Sequence, residues 1–303
     1  MIDSARARRS ISVSLKDHTE TLIDLALAED LGDGDVTSQY FIPADRRARA
    51  FITARREGVA SGIELAARVF EKVDPTLSVE ILIEDGSRVS EGALLLRVEG
   101  SARSILGGER TALNFAQRLS GVATLTARYV DAIKGTGARI LDTRKTTPGY
   151  RLLEKKAVVD GGGHNHRMNL HDRAMVKDNH LVTEGGIAAI QTAIQTAIRQ
   201  LKNDKPSIEV ELEADRLDQV HEFLALDGVD HILLDNMSLD DLREAVAMRG
   251  ERTAPMFEAS GGVTLETIRD IAATGVDFIS VGALTHSAPA LDIGLDFTPL
   301  EIP

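Results

Sequence analysis

The chain has 303 residues, a formal net charge of −12 and no cysteine. That length fits roughly two domains, the acidic balance argues against a general nucleic-acid binder, and no apolar run approaches the ~20 residues needed to cross a bilayer. Disulfides, a thiolate metal site and a Cys nucleophile are excluded, and the lack of cysteine fits a reducing compartment such as the cytoplasm.

The first 14 residues carry Arg6, Arg8 and Arg9 with no apolar segment behind them and read as a flexible basic arm, not a secretory signal. Residues 15–30 space apolar side chains as a helix does, ending at LGDGD. ARAFITA (48–54) alternates as a strand, and GIELAARVFEKV is a helix closed by Asp74–Pro75. LSVEILIEDG and ALLLRVEG are further strands around an SRVSEG turn, which has no lysine to serve a lipoyl- or biotinyl-type carrier. This first third is an α+β module. A long helical pattern follows over 109–133, with Gly121 as its expected break, and bridges to the remainder.

From about residue 138 short apolar strands alternate with helices: ARILDTRK, RAMVKDNH, SIEVELE, GVDHILLDN, MFEASGG and DFISVGALT. That rhythm implies parallel strands with crossover helices. No GxGxxG follows the first of them. Polar or glycine residues stand at the carboxyl end of every strand, which favours an α/β barrel, whose strand ends meet on one face, over a doubly wound sheet. Its last loops, with Ser260, Gly261, Gly262 and Gly282, are the place for a phosphate.

Charge is unevenly spread. Residues 139–180 hold nine Lys/Arg against five Asp/Glu, a net +4 that leaves −16 for the rest. Lys155 and Lys156 fall inside a helix pattern and read as its solvated face. Arg144, Lys145, His166, Arg167 and Lys177 fall beside turn residues and form a cationic set. Glu211 and Asp235 form an acidic one, although Glu211 and Glu213 alternate with Val210 and Leu212 and could both be structural, and Asp235 could cap a helix for which Ser238 is the better cap. The spacing of His164, His166 and His171 matches no metal motif. Guanidinium forks and a glycine cradle call for a polyanion, and carboxylates beside it need Mg²⁺ or hydroxyls. A sugar phosphate with a leaving diphosphate uses every part of the set.

The motifs ERTALNFAQRLSGVAT, DTRKTTPGYRLLEKKAV, GGGHNHR, MVKDNH, VELE, ILLDN, EASGG and SVGALTHSA, in this order, closely resemble the quinolinate phosphoribosyltransferase (carboxylating nicotinate-nucleotide pyrophosphorylase) family. The resemblance covers nearly all the chain beyond residue 20. It implies an N-terminal α+β sandwich (15–120, with the bridging helix), an incomplete α/β barrel (121–286) and a tail (287–303) returning to the first domain. It implies Mg²⁺-dependent transfer of phosphoribosyl from phosphoribosyl diphosphate to quinolinate with loss of CO₂, in NAD synthesis, by a homodimer. The implied roles place Arg144, His166, Arg167 and Lys177 on the two quinolinate carboxylates and Arg110 in the partner's site. Lys145 and Lys177 would meet the diphosphate donor, Glu211 and Asp235 the ribose and Mg²⁺, and Ser260, Gly261, Gly262 and Gly282 the 5′-phosphate. Lys145 and a water are both candidates for protonating the ring carbon. A transferase that spares the carboxylate and a silent sugar-phosphate sensor are the rival readings.

Overall fold

The computed structural model describes residues 15–177 and 187–299; the arm 1–14, the Asp178–His180 end of MVKDNH and residues 300–303 lie outside the described residues. The first part runs α1 (Leu15–Asp30), α2 (Val36–Phe41), β1 (Arg47–Ala54), β2 (Gly58–Val59), α3 (Ile63–Val73), β3 (Ser78–Ile81), β4 (Arg88–Val89), β5 (Leu94–Ser101) and α4 (Ala102–Ala132). The second runs β6 (Arg139–Leu141), α5 (Arg151–Asp160), β7 (Arg173–Val176), α6 (Ile187–Asp204), β8 (Glu209–Ala214), α7 (Leu217–Phe223) and β9 (His231–Asp235). It closes with α8 (Leu239–Arg249), β10 (Met256–Ser260), α9 (Ile268–Ala272), β11 (Phe278–Ser280), α10 (Ala283–His286) and β12 (Ile293–Pro299).

The period-2 pattern of the first third does what alternation requires. Ala48, Ala50, Ile52 and Ala54 of β1 are buried, and opposite them on β5 lie Val98 and Leu96. α3 covers this sheet through Ile63, Ala66, Val69 and Phe70, all at 0% exposure. It stops at Asp74, whose extended backbone precedes Pro75 as a proline demands. The antiparallel sheet is ordered β12-β1-β5-β3, so the strand that follows the barrel pairs with β1. β4 pairs with β2 in a separate ladder and does not form a hairpin with β5.

Gly121 does not break the bridging helix. α4 runs unbroken for 31 residues. The glycine serves a close approach instead, because a Cβ there would stand 2.1 Å from the Pro289 carbonyl oxygen. The chain returning toward β12 thus lies directly on α4.

The six expected strands of the second part form one parallel sheet, β6-β11-β10-β9-β8-β7. Among the described residues β6 and β7 do not pair, and a lone parallel bridge from Leu141 to His164 sits on the β6 side. The sheet curls as an incomplete barrel. Ile232, Leu233 and Leu234 on β9 are all buried, as continuous apolar runs are in a sheet covered on both faces. Among the described residues no helix is long and apolar enough to cross a membrane.

Candidate active site

The carboxyl ends of these strands enclose a cavity of about 480 Å³. Arg144, Lys145, Arg167 and Lys177 line it, together with Glu213, Asp235, Ser260, Gly261 and Gly262. These residues come from the loop after β6, the loop before β7, and the ends of β7, β8, β9 and β10, so six separate stretches of sequence converge. Burial, followed by the neighbouring Arg144 and Arg173, pushes the Arg167 guanidinium below its ordinary value. Loss of water around the guanidinium is the larger cause, and the positive charge of its arginine neighbours adds to it. Lys177 contacts Glu213, joining the cationic and acidic sides at the rim.

The loop carrying Arg144 and Lys145 is held from behind. Glu154, fully buried on α5, accepts from the Thr147 N–H (3.0 Å) and hydroxyl (2.9 Å). Arg118 of α4 pairs with Glu154 at 2.6 Å and also donates to the Thr285 and Ala288 carbonyls. The Thr285 hydroxyl donates to the Lys145 carbonyl at 2.8 Å. The long helix therefore braces the loop through one arginine.

Glu211 was expected at the rim beside Asp235, and the structure corrects this. It is 0% exposed and lies one layer below the cavity, while Glu213 lines the wall. Residues two apart on a strand face the same way and differ by roughly 7 Å in depth. At the cavity floor, which His166, Glu258 and Ser280 help to line, His166 Nε2 lies 3.1 Å from Glu211 and 3.5 Å from Glu258, and Ser280 donates to Glu258. Burial alone would raise the Glu211 carboxyl, but the hydrogen bond from His166 and the positive charge of Arg173 outweigh it and hold it at about 2. Burial and the Glu211 anion push Glu258 well above the usual carboxylate range, so this second acid keeps its proton. The three ligand atoms lie within 4.8 Å of one another. Enclosure, a nitrogen donor and a protonated carboxyl do not suit Mg²⁺, which keeps several waters.

His166 lines the cavity, but both its ring nitrogens are engaged. The Arg167 N–H donates to Nδ1 (2.7 Å) and Nε2 faces Glu211. An imidazole so occupied props the wall and fixes the peptide leading to Arg167; it has no nitrogen left for a carboxylate.

Lys155 is not on a solvated face. It and Asp142 are both 0% exposed and paired with each other. Lys156, more open, bonds Asp85 and Asp160 at 3.0 Å each. Helical spacing identified the helix but not which side of it the barrel covers.

The SGG turn is built for close backbone approach. Gly261 (φ +97°) and Gly262 (φ +61°) are both left-handed, and a Cβ on Gly261 would stand 2.1 Å from the Asn236 side-chain oxygen. Around Gly262 the space is open. Asn236, itself at φ 53°, fixes the neighbouring strand end by donating from its N–H to the Ser260 carbonyl and from its side chain to Asp235 (2.8 Å each). Ser238 caps α8, which leaves the Asp235 carboxylate to the cavity. Gly282 is not among the lining residues. It lies against Lys145, 3.3 Å from where its Cβ would be, and begins a helix of only four residues. Arg110 is exposed on α4 and outside the cavity.

The sequence reading gave no role to Glu213, Glu258, Asp142, Arg118 or Asn236. Glu213 and Asn236 did carry a signal, their places among the polar residues at the ends of the VELE and ILLDN strands.

Comparison with known proteins is consistent along the chain. The family model "Quinolinate phosphoribosyl transferase, N-terminal domain" matches residues 35–120, and "Quinolinate phosphoribosyl transferase, C-terminal domain" matches 122–296. A quinolinate phosphoribosyltransferase [decarboxylating] of Nicotiana tabacum is 45% identical over 289 residues, spanning 90% of this chain and 81% of its own. The carboxylating nicotinate-nucleotide pyrophosphorylase of Mycobacterium leprae is 42% identical over 284 residues, covering 92% and 97% respectively. Among solved structures, the nicotinate-nucleotide pyrophosphorylase of Francisella tularensis superposes with a TM-score of 0.86 at 37% identity, over 95% of this chain and 99% of that one.

Proposed function

The chain belongs to the quinolinate phosphoribosyltransferase family, and from that premise we propose how its cavity works. It is a pentosyltransferase of NAD synthesis that joins quinolinate to the ribose of phosphoribosyl diphosphate, releasing diphosphate and CO₂ to leave nicotinate mononucleotide. The observation that carries our reading of the site is that four cations, two carboxylates and a glycine turn share one cavity in an acidic protein.

Arg144 and Arg167 hold the quinolinate carboxylates, with His166 as the prop behind Arg167. Guanidinium forks match paired carboxylate oxygens, and their mutual repulsion is relieved when the dianion enters. Lys145 and Lys177 meet the diphosphate of the donor. The backbone amides of the Ser260–Gly262 turn hold its 5′-phosphate, with Gly282 giving Lys145 room to lie across the site.

Glu213 and Asp235, and not Glu211, fit Mg²⁺: both offer only oxygen, both line an open cavity, and they end adjacent strands. Bound there, Mg²⁺ would neutralise the diphosphate as it leaves. As that bond breaks, positive charge grows on the ribose, and a carboxylate fixed at the rim stabilises it without having to reorganise. The barrel holds the ring nitrogen in line with the sugar carbon. Attachment makes that nitrogen cationic, its charge stabilises the electron pair left on the adjacent ring carbon as CO₂ departs, and that carbon then takes a proton from Lys145 or a water to give the C–H bond of the product. Transfer therefore precedes decarboxylation. Purified protein given quinolinate, phosphoribosyl diphosphate and Mg²⁺ is expected to release CO₂ and nicotinate mononucleotide in equal amounts, and to stop on chelation with EDTA. Equal turnover of nicotinate would refute the two-carboxylate reading.

We assign Arg110 to a second copy of the chain. It is an exposed arginine outside its own cavity, on the helix that braces that cavity, and the active unit is then a homodimer. Mixing Arg110→Ala with Lys177→Ala protein under subunit exchange is expected to restore about a quarter of wild-type turnover, the statistical share of intact sites when neither substitution perturbs the other. Verified heterodimers with no recovered activity would count against it. The lack of cysteine fits the reducing cytoplasm.

A further inference from the structure

A fully buried ion pair stands behind the cationic loop. Asp142 follows β6 and Lys155 lies on α5, and neither has any exposed surface. Neither touches the cavity. Every side-chain polar atom of the pair is spent on the GGGHNHR segment or on its partner. Asp142 Oδ1 accepts from Lys155 Nζ and from the His166 N–H at 2.9 Å. Lys155 Nζ also donates to the His166 carbonyl at 3.0 Å. With its carboxamide turned so that nitrogen faces acceptors, Asn165 donates to Asp142 Oδ2 (2.6 Å) and to the Lys155 carbonyl (3.0 Å). The backbone of Asp142 and His164 adds a third tie, the Asp142 N–H to the His164 carbonyl at 3.1 Å. The peptide on both sides of His166 is thus clamped, and the next residue is Arg167.

Removing two charges from water costs more than their attraction returns in most buried sites, and apolar replacements of similar volume are commonly as stable. A pair retained in such a place, with all its bonds directed at one loop, is accounted for by geometry better than by stability. We propose that Asp142 and Lys155 are positioning residues that set where Arg167 stands, and through it how well the site grips quinolinate, while leaving the grip on phosphoribosyl diphosphate alone. This rests on the assignment of Arg167 to a quinolinate carboxylate.

The selective effect follows from the layout. The donor's phosphate turn is on β10 and Lys177 follows β7, while the loop of Lys145, although it follows Asp142 directly, is held by Thr285 and Glu154 and not by the side chains of the pair. Only the 164–167 segment loses its anchor when the pair goes.

The test is steady-state kinetics on Asp142→Asn/Lys155→Met, which removes both charges with little change of volume, alongside Arg167→Ala. The double variant is expected to raise the KM for quinolinate about tenfold or more, as misplaced binding groups do. The KM for phosphoribosyl diphosphate should stay within about twofold and the melting temperature near wild type. Lys155→Arg, which keeps the charge and both hydrogen bonds, should restore part of the loss. Asn165→Ala, on an exposed residue, removes one strut only and should raise the same KM about threefold, so it decides the question if the double variant fails to fold. Unchanged quinolinate KM in both, or equal rises for the two substrates, overturns the proposal. Arg167→Ala separates the two readings. If it leaves the quinolinate KM unchanged, the assignment of Arg167 fails; if it raises that KM while the clamp variants do not, only the clamp fails.

Discussion

Glu213→Gln is expected to lower kcat by about two orders of magnitude, with the fold intact and little change in either KM. Losing one preorganised charge from an active site commonly costs about 10²–10³-fold in rate. The substitution keeps shape and hydrogen-bonding capacity but removes the anion that lines the cavity beside Asp235. Because Glu213 is on the cavity wall and only partly buried, stability should hold within ~1 kcal/mol. Turnover within about threefold of wild type, with the far-UV spectrum unchanged, would remove Glu213 from the reaction.

Glu211→Gln should do the reverse, costing the protein about 3 kcal/mol at pH 7. The carboxyl is held at about 2, down from an ordinary 4.5, and each unit is worth ~1.4 kcal/mol. The sign is that of a depressed acid. The contribution is complete above the unfolded value near 4.5 and is lost as pH falls through the folded value near 2. Urea unfolding of wild type and variant should therefore differ most above pH 5 and converge toward pH 2. A gap independent of pH would mean that Glu211 stabilises by packing alone. Glu258→Gln is the control: this acid already carries its proton, so a neutral amide should cost far less at pH 7.

The contrast between these glutamates marks how far the sequence could be read. Alternation put Glu211 and Glu213 on one face of one strand, which is right. It could not say which of them reaches the rim, because depth along the barrel axis depends on how the neighbouring strands are staggered. Lys155 was misjudged for a similar reason: helical spacing gives faces, not which face the barrel covers. The strands themselves were legible because each is a short apolar run between turns, and so were the cations around them, which sit where turn residues leave no helix face to solvate. Arg118 and Glu154 were silent, since a brace between an arginine and a buried acid 36 residues apart leaves no local pattern.

β12 has a consequence for how the protein is made. Residues 293–299 lie along Arg47–Ala54, so a stretch made only after the whole barrel supplies the outer strand of the first sheet to be synthesised. Until then β1 presents an unpaired edge, the kind of backbone that joins other chains readily. The nascent protein must wait through the translation of the whole barrel with that edge open, at a few residues to some twenty per second. Its exposure to misassembly, and to the chaperones that guard against it, is set by the length of the message between those two strands.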